Sequence, residues 1–415
     1  MTTSNFDAKT HILSSGRINV LFLENLHANT KEILASEGFQ VESLQNALSE
    51  EALIEKLQGV HVLGIRSKTL VTQKVLENAK ELLTVGCFCI GTNQVDIDAA
   101  QLHGIPVFNA PFANTRSVAE LMIAEIILLA RQLGDRSSDL HKGKWRKTAE
   151  HSYEIRGKTL GIVGYGHIGS QVGVLAELMG MRVIYFDVVN KLPMGNNRAV
   201  SDLFELLRMA DFVCLHVPET AQTRHLIGTP EIKQMKAGSY LLNSSRGAVV
   251  DISALSDALK SKHLFGAAVD VYPEEPEGQT DSFVTELQGL ANVLLTPHIG
   301  GSTLEAQAAI GREVGEALAN FITRGSTSGA VNFPQLDLPR SKGTHRILNV
   351  HKNVPGVLRD INKIVSDHNA NIHSQMLSTD ARIGYLIMDL DHDVSVDVCA
   401  AISKLSTNLR TRIVS

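Results

Sequence analysis

The stretch "LGIVGYGHIGSQVG", Leu160 to Gly173, constrains the fold more than any other part of the chain. An apolar strand there runs directly into a glycine turn and then a helix. Gly164, Gly166 and Gly169 make G-x-G-x-x-G, in which the missing side chains permit a tight turn and let a pyrophosphate approach a helix N-terminus. Alone, the motif is weak, since a glycine turn that merely packs strand on helix is its plain alternative. Asp187 shifts that balance. It ends the next apolar run, "RVIYFD", about 20 residues on, where a carboxylate accepts hydrogen bonds from adenosine ribose hydroxyls. No arginine immediately follows it, and a 2′-phosphate would meet its negative charge, so NAD is expected rather than NADP.

More than a third of the chain precedes this fingerprint, and it has a strand and helix rhythm of its own. Strands are expected at "INVLFL", "FQVE", "VHVLGIRS", "LLTVGCFC" and "IPVFNA", with helices at 31–37, 72–80 and 97–102. A parallel sheet closes such a pattern. Ser117 to Arg131 reads as a buried helix leading away from that sheet, ended by polar loop in "SSDLHKGKW". From Thr159 the cycle restarts and runs through "RVIYFD", "DFVCLHVP", "SYLLNSS", "LFGAAVDVY" and "NVLLTPH", the pattern of a doubly wound α/β domain. A helix is expected from Ser302 to Phe321, and the glycine, serine and proline of "RGSTSGAVNFPQLDLPRSKG" read as a linker. His345 to Ser415 then shows strand, helix, strand, strand, helix, strand, the order of a ferredoxin-like unit.

Composition excludes several classes of partner. A formal charge of -5 gives no electrostatic reason to expect nucleic acid. The opening residues lack a basic segment followed by an apolar run, and the most apolar later stretch, Leu121 to Ala130, is short and carries Glu125, so neither export nor a membrane span is expected. Cys87, Cys89, Cys214 and Cys399 fit neither a zinc or redox pair nor a disulfide framework, which favours a reducing compartment, the cytoplasm by default. No metal is expected.

Three stretches fall at strand ends of the second sheet: "NSSRG" with Arg246, "VDVYPEEP" with Asp270 and Glu275, and "TPHIGG" with His298. In doubly wound sheets ligands bind at these carboxyl ends. An arginine holds a carboxylate through parallel hydrogen bonds, a histidine exchanges a hydroxyl proton, and a nearby carboxylate orients the imidazole and raises its pKa. Each residue taken singly reads as a surface or turn residue. Together, after an NAD fingerprint, they are the parts needed to oxidise a 2-hydroxy acid.

"GIVGYGHIG", "NSSRG", "DVYPEEP" and "TPHIGG", in this order, resemble the D-isomer-specific 2-hydroxy acid dehydrogenase family, and the C-terminal unit resembles an ACT domain. The resemblance runs from about Ile18 to the end. It implies a Rossmann-type doubly wound NAD domain, 113–301, inserted in a flavodoxin-like α/β substrate domain, 1–112 and 302–332, with a linker at 333–343 and a ferredoxin-like (ACT) α+β domain at 344–415. It implies catalysis by Arg246, Glu275 and His298. Around NAD it implies Gly164, Gly166, His167, Ile168, Gly169, Asp187, Ser244, Ser245, Arg246, Asp270, His298, Ile299, Gly300 and Gly301.

"GIRSKT" brings Arg66 and Lys68 to either side of Ser67 just past a strand. A solvated turn is the plain reading, but the resemblance makes this the site of the phosphate of 3-phospho-D-glycerate, with Lys68 a point charge where relatives often carry a second arginine. It also puts Lys147 near a neighbouring subunit's cleft, implying a homo-oligomer, a tetramer by that likeness, and a side reduction of 2-oxoglutarate. In the C-terminal unit, His351, Asn353 and Asn371 match contacts for an L-serine effector at the interface between two such domains. The plain reading of that unit is a dimerisation module. Two rivals stand beside the main reading: a dehydrogenase for another D-2-hydroxy acid, and a non-catalytic NAD-sensing protein of corepressor type.

Overall fold

The computed structural model describes residues 18–276, 282–341, 343–391 and 394–414. The opening stretch from Met1, in which no leader is expected, lies outside the described residues. The chain forms two compact units: one from Met1–Ala113 with Ala308–Ser415, the other Asn114–Gln307.

The first unit opens with β1 (Asn19–Phe22), α1 (Ala28–Ser36), β2 (Gln40–Ser43), α2 (Glu50–Lys56), β3 (Val62–Ile65), α3 (Gln73–Asn78), β4 (Thr84–Cys87), α4 (Ile97–Leu102) and β5 (Val107–Asn109). The strands pair in parallel in the order β2-β1-β3-β4-β5, the flavodoxin-like arrangement. Alternation of side chains explains why "INVLFL" is apolar from Val20 onward: Val20 and Phe22 face one core, Leu21 and Leu23 the other, and all four are buried. Helix α2 is absent from the sequence reading; its cap, Ser49, accepts a hydrogen bond from Ala52 N, and only Leu53 of the helix is buried.

The second unit contains α5 (Thr115–Arg131), α6 (Leu133–His141), β6 (Thr159–Val163), α7 (His167–Leu178), β7 (Arg182–Phe186), β8 (Arg198–Ala199), α8 (Leu203–Met209), β9 (Phe212–Leu215), α9 (Thr229–Gln234), β10 (Ser239–Asn243), α10 (Ile252–Lys260), β11 (Leu264–Val269) and β12 (Val293–Leu295). Its sheet runs β12-β11-β10-β9-β6-β7-β8, so the strand order reverses beside β6. That is the doubly wound switch point, and the glycine turn sits on it. Helix α6 corrects the expectation of polar loop through "SSDLH". It buries no residue, so no apolar stripe marks it in the sequence; an Asp135 carboxylate in its first turn accepts from Asn292 N at 2.8 Å.

The chain returns to the first unit through α11 (Leu304–Arg324), then β13 (His345–Lys352), α12 (Val357–Asp367), β14 (Ile372–Thr379), β15 (Ile383–Leu390), α13 (Ser395–Ser403) and β16 (Asn408–Val414). These last strands form an antiparallel sheet, β14-β15-β13-β16. One face carries α12 and α13 over Ile347, Met388 and Leu390. The other face, with Leu348, Val350, Tyr385 and Ile387, shares a core with Phe108, Phe321 and Phe333. The stretch expected as a free linker is therefore built in. Phe333 and Leu336 are buried, and Thr327 N donates to Leu336 O at 2.9 Å. Among the described residues no helix is long and apolar enough to cross a membrane.

Candidate active site

The glycine turn has the shape its sequence demands. Gly164 has φ +90°, and a Cβ there would lie 2.6 Å from the His216 carbonyl oxygen; at Gly169 it would lie 2.1 Å from the Gly164 oxygen. Those two positions are closed by packing. Gly166 differs: it caps α7 with no side-chain hydrogen bond, and a Cβ on it would meet nothing within 4 Å. Open space at a helix N-terminus is what a pyrophosphate requires. His167 is exposed and Ile168 half-buried beside it.

Asp187 is half-buried at the end of β7. Its carboxylate accepts from Tyr165 N at 2.8 Å and from Val189 N at 2.9 Å, so it ties the glycine turn to its own strand end. Two carboxylate oxygens offer about four acceptor sites, which leaves capacity for ribose hydroxyls.

At the end of β10, Asn243 is buried and organises "NSSRG": its amide donates to Arg246 O at 3.0 Å, and its oxygen accepts from Ser245 N and Oγ at 3.1 and 2.8 Å. The Ser244 hydroxyl is buried with no partner among the described residues. Arg246 is half-buried, with Nη1 on Ser245 O at 2.7 Å. A Cβ on the next residue, Gly247, would fall 1.9 Å from the Tyr272 carbonyl carbon. Only glycine lets the arginine turn pack against the segment that carries Glu275.

Glu275 accepts from Tyr272 N at 3.1 Å and pairs with His298 Nδ1 at 2.8 Å. Burial, the largest single influence, would raise the Glu275 pKa, but the hydrogen bonds from His298 and Tyr272 N, with the charges of His298 and Arg246, together hold the carboxyl below its usual range. His298 is raised in turn, chiefly by the Glu275 hydrogen bond, against an opposing effect of burial. The ring remains half exposed. His298 also has φ +54°, a left-handed backbone uncommon for a non-glycine residue.

Asp270 holds that strained turn. Buried at the end of β11, it accepts from Thr296 Oγ1 at 2.6 Å and from Ile299 N and Gly300 N, each at 2.8 Å. Gly301 packs against Asn114 too closely for a side chain, a Cβ there lying 2.5 Å from its Nδ2. Asn243 and Thr296 are supports that sequence reading missed. Their signal was a polar residue at or just past the last position of an apolar strand.

The remaining expected residues are more dispersed. Arg66 is half-buried, with Ser67 and Lys68 exposed, on the loop after β3 in the first unit. Lys147 lies in an exposed stretch of the second unit, with Trp145 80% exposed, on a groove of about 780 Å³ also lined by Arg131, Arg136 and Lys144. In the C-terminal sheet His351 is buried, not open: its Nδ1 lies 2.8 Å from Asn349 Oδ1, and burial lowers its pKa. Asn353 is exposed next to it, donating to Asp380 O at 2.5 Å. Asn371 is elsewhere. β14 meets β15 at Ile372 and Leu390, opposite His345, whereas His351 lies opposite Gly384. At about 3.3 Å per residue, most of a strand separates Asn371 from His351 within one chain.

A family model for "D-isomer specific 2-hydroxyacid dehydrogenase, NAD binding domain" matches residues 123–300, and one for "AHAS small subunit-like ACT domain" matches 347–410. The chain is 55% identical over 397 residues to a D-3-phosphoglycerate dehydrogenase of Dictyostelium discoideum, covering 96% of this chain and 97% of that one. It is 49% identical over 404 residues to the Escherichia coli (strain K12) D-3-phosphoglycerate dehydrogenase, covering 97% and 98%. A D-lactate dehydrogenase of Aquifex aeolicus complexed with NAD and lactic acid superposes with a TM-score of 0.67 at 27% identity, covering 76% of this chain and all of that one (100%).

Proposed function

The chain belongs to the D-isomer-specific 2-hydroxyacid dehydrogenase family, and on that premise we propose that it oxidises 3-phospho-D-glycerate to 3-phosphohydroxypyruvate with NAD, the first step of the phosphorylated route to L-serine. The observation that carries this reading is the Glu275–His298 pair at 2.8 Å on a turn held by Asp270. NAD supplies the hydride acceptor when bound, and the open Gly166 position, the Asp187 carboxylate and the orphaned Ser244 hydroxyl suit it.

His298 takes the substrate's C2 hydroxyl proton on Nε2, since Nδ1 is engaged by Glu275. As positive charge moves onto the ring, the adjacent carboxylate stabilises it. Arg246 holds the substrate carboxylate and the C2 oxygen, and Arg66, Ser67 and Lys68 receive the phosphate. In this scheme the substrate domain comprises 1–112 and 302–332 and the NAD domain 113–301, and Lys147 serves the site of a neighbouring copy. An absorbance assay for NADH tests the reading across 2-hydroxy and 2-oxo acids with and without phosphate, 2-oxoglutarate included. Steady turnover with 3-phosphoglycerate supports it; turnover only with unphosphorylated acids, or none, rejects it.

L-Serine is the proposed effector. Because Asn371 stands at the far end of the sheet from His351 and Asn353, the three residues would surround one ligand only across two copies of the domain. Serine inhibition that Asn371→Ala abolishes supports this, and insensitivity of the unmodified chain rejects it. Substitution is the proper test here. A chain ending near Gly343 would expose Phe321 and Phe333, which share their core with the C-terminal sheet.

A further inference from the structure

Between the strand end of β1 and the loop after β3 the first unit makes a contact that the catalytic scheme leaves unused. Glu24 and Asn25 follow β1 in consecutive left-handed conformations, φ +65° and +51°, which non-glycine residues adopt uncommonly. The turn carries the Glu24 side chain inward until it is 8% exposed. There its two oxygens accept from Lys68 N at 3.0 Å and Thr69 N at 2.9 Å. The other side of the same loop is tied by Gln94, also buried, whose amide donates to Arg66 O at 2.6 Å. Arg66, Ser67 and Lys68 are thus strung between two buried anchors drawn from distant parts of the chain.

We infer that Glu24 is a positioning residue for substrate phosphate: it fixes the backbone of the Arg66–Lys68 loop so that its side chains stand ready before substrate arrives. This rests on the reading that the loop receives the phosphate. The carboxylate occupies two loop amides, so recognition falls to the arginine, the serine hydroxyl and the lysine. Its own charge is spent on those amides. A carboxylate is suited to this because one planar group accepts from two successive N–H donors, whereas an amide in its place would set a donor against one of them.

Glu24→Gln and Glu24→Asp in the full chain test it, the second keeping the charge but falling short of both amides. Misplacing binding groups by about 1 Å costs up to ~100-fold, so KM for 3-phosphoglycerate should rise about tenfold in either variant, with kcat at saturation and KM for NAD within about twofold. A tether that matters only for folding would instead lower melting temperature and kcat together, and that result, or an unchanged KM in the Asp variant, overturns the inference. Arg66→Ala and Lys68→Ala are measured alongside. If they raise KM while the Glu24 variants do not, the positioning role fails and the phosphate loop stands. If they leave KM unchanged, the loop reading itself fails, and this inference with it.

Discussion

Asp270 beside the turn that carries His298 and Arg346 in the C-terminal sheet both hold main chain in place, yet the ion pairs in the two regions meet solvent in opposite ways. Asp270 grips the turn under His298, and the His298–Glu275 pair above it keeps its ring half exposed. Arg346 and Asp389 have side chains 0% exposed. Each guanidinium N–H is used: Nε and Nη2 on the Asp389 carboxylate at 2.7 and 2.9 Å, Nη1 on Arg324 O and Leu338 O at 2.9 and 2.7 Å, and Nη2 again on Pro339 O at 3.0 Å. Arg412 donates to Phe321 O and Ile322 O, and the Tyr385 hydroxyl to Gly325 O. Carbonyls in the last turn of α11 and just past it, where the helix dipole is negative, thus accept from side chains of the C-terminal sheet. The pair proposed to change its charge during turnover stays near water. A charge that must only hold is buried with every donor matched.

Breaking the buried pair should have the largest effect. Arg346→Ala strands the Asp389 carboxylate and is expected to cost about 3–5 kcal/mol of stability, read as a drop in the urea midpoint. Burial alone would raise the Asp389 pKa, but the Arg346 hydrogen bond and charge hold it below its usual value. The pair's contribution is therefore complete above the unfolded carboxylate value of about 3.9 and is lost as pH falls through the lower folded value. Replacing both partners with apolar residues should recover only the part owed to the stranded carboxylate, because Arg324 O, Leu338 O and Pro339 O would still lack their donor. A midpoint unmoved in Arg346→Ala would show that the seam between α11 and the sheet is not stressed by the buried charge.

On the proposed mechanism no such double replacement rescues the exposed pair, because its work there is proton transfer. His298→Asn should lower kcat by ~100-fold or more while leaving the urea midpoint near that of the parent. Near-normal turnover would remove His298 as the base. Glu275→Gln acts more subtly, on the pH profile. Glu275 is the main reason His298 lies above the usual 6.5, so oxidation, which needs the neutral ring, should rise with pH through a value above 6.5. Without the carboxylate that limb should move to lower pH, since burial then dominates. A limb that stays in place would assign it to another group.

The contrast also explains what could be read from residues alone. The parallel sheets were legible because strand, glycine and helix recur in "LGIVGYGHIG" and because "INVLFL" is apolar on both faces. The candidate site was legible in part because Arg246, Asp270 and His298 fall at or just past strand ends, where the sheet's geometry gathers them. The seat of the C-terminal sheet was not. Its partners are backbone carbonyls at 321–325 and 338–339, which carry no residue-type signal, so a packed segment rich in glycine and proline looks like a linker. Likewise α6 buries nothing and leaves no stripe to find.

Asp187 tests the smallest of these differences, since it belongs to both kinds of site. It holds backbone, through Tyr165 N and Val189 N, as Asp270 does, and it also stands where ribose hydroxyls are expected. Asp187→Ala should therefore do two separable things. Loss of the acceptor weakens NAD and removes the repulsion toward a 2′-phosphate, so the NAD to NADP ratio of kcat/KM should narrow. Loss of the backbone tie loosens the turn at Tyr165 and weakens both cofactors alike. Asp187→Asn removes the charge and keeps one of the two acceptors that the turn uses, so it weakens the tie less than alanine does: NADP should gain on NAD with less loss of NAD affinity than in the alanine variant. If the ratio is the same in both variants and in the parent, Asp187 serves the turn alone, and cofactor choice is made elsewhere on β7 or in the residues that follow it.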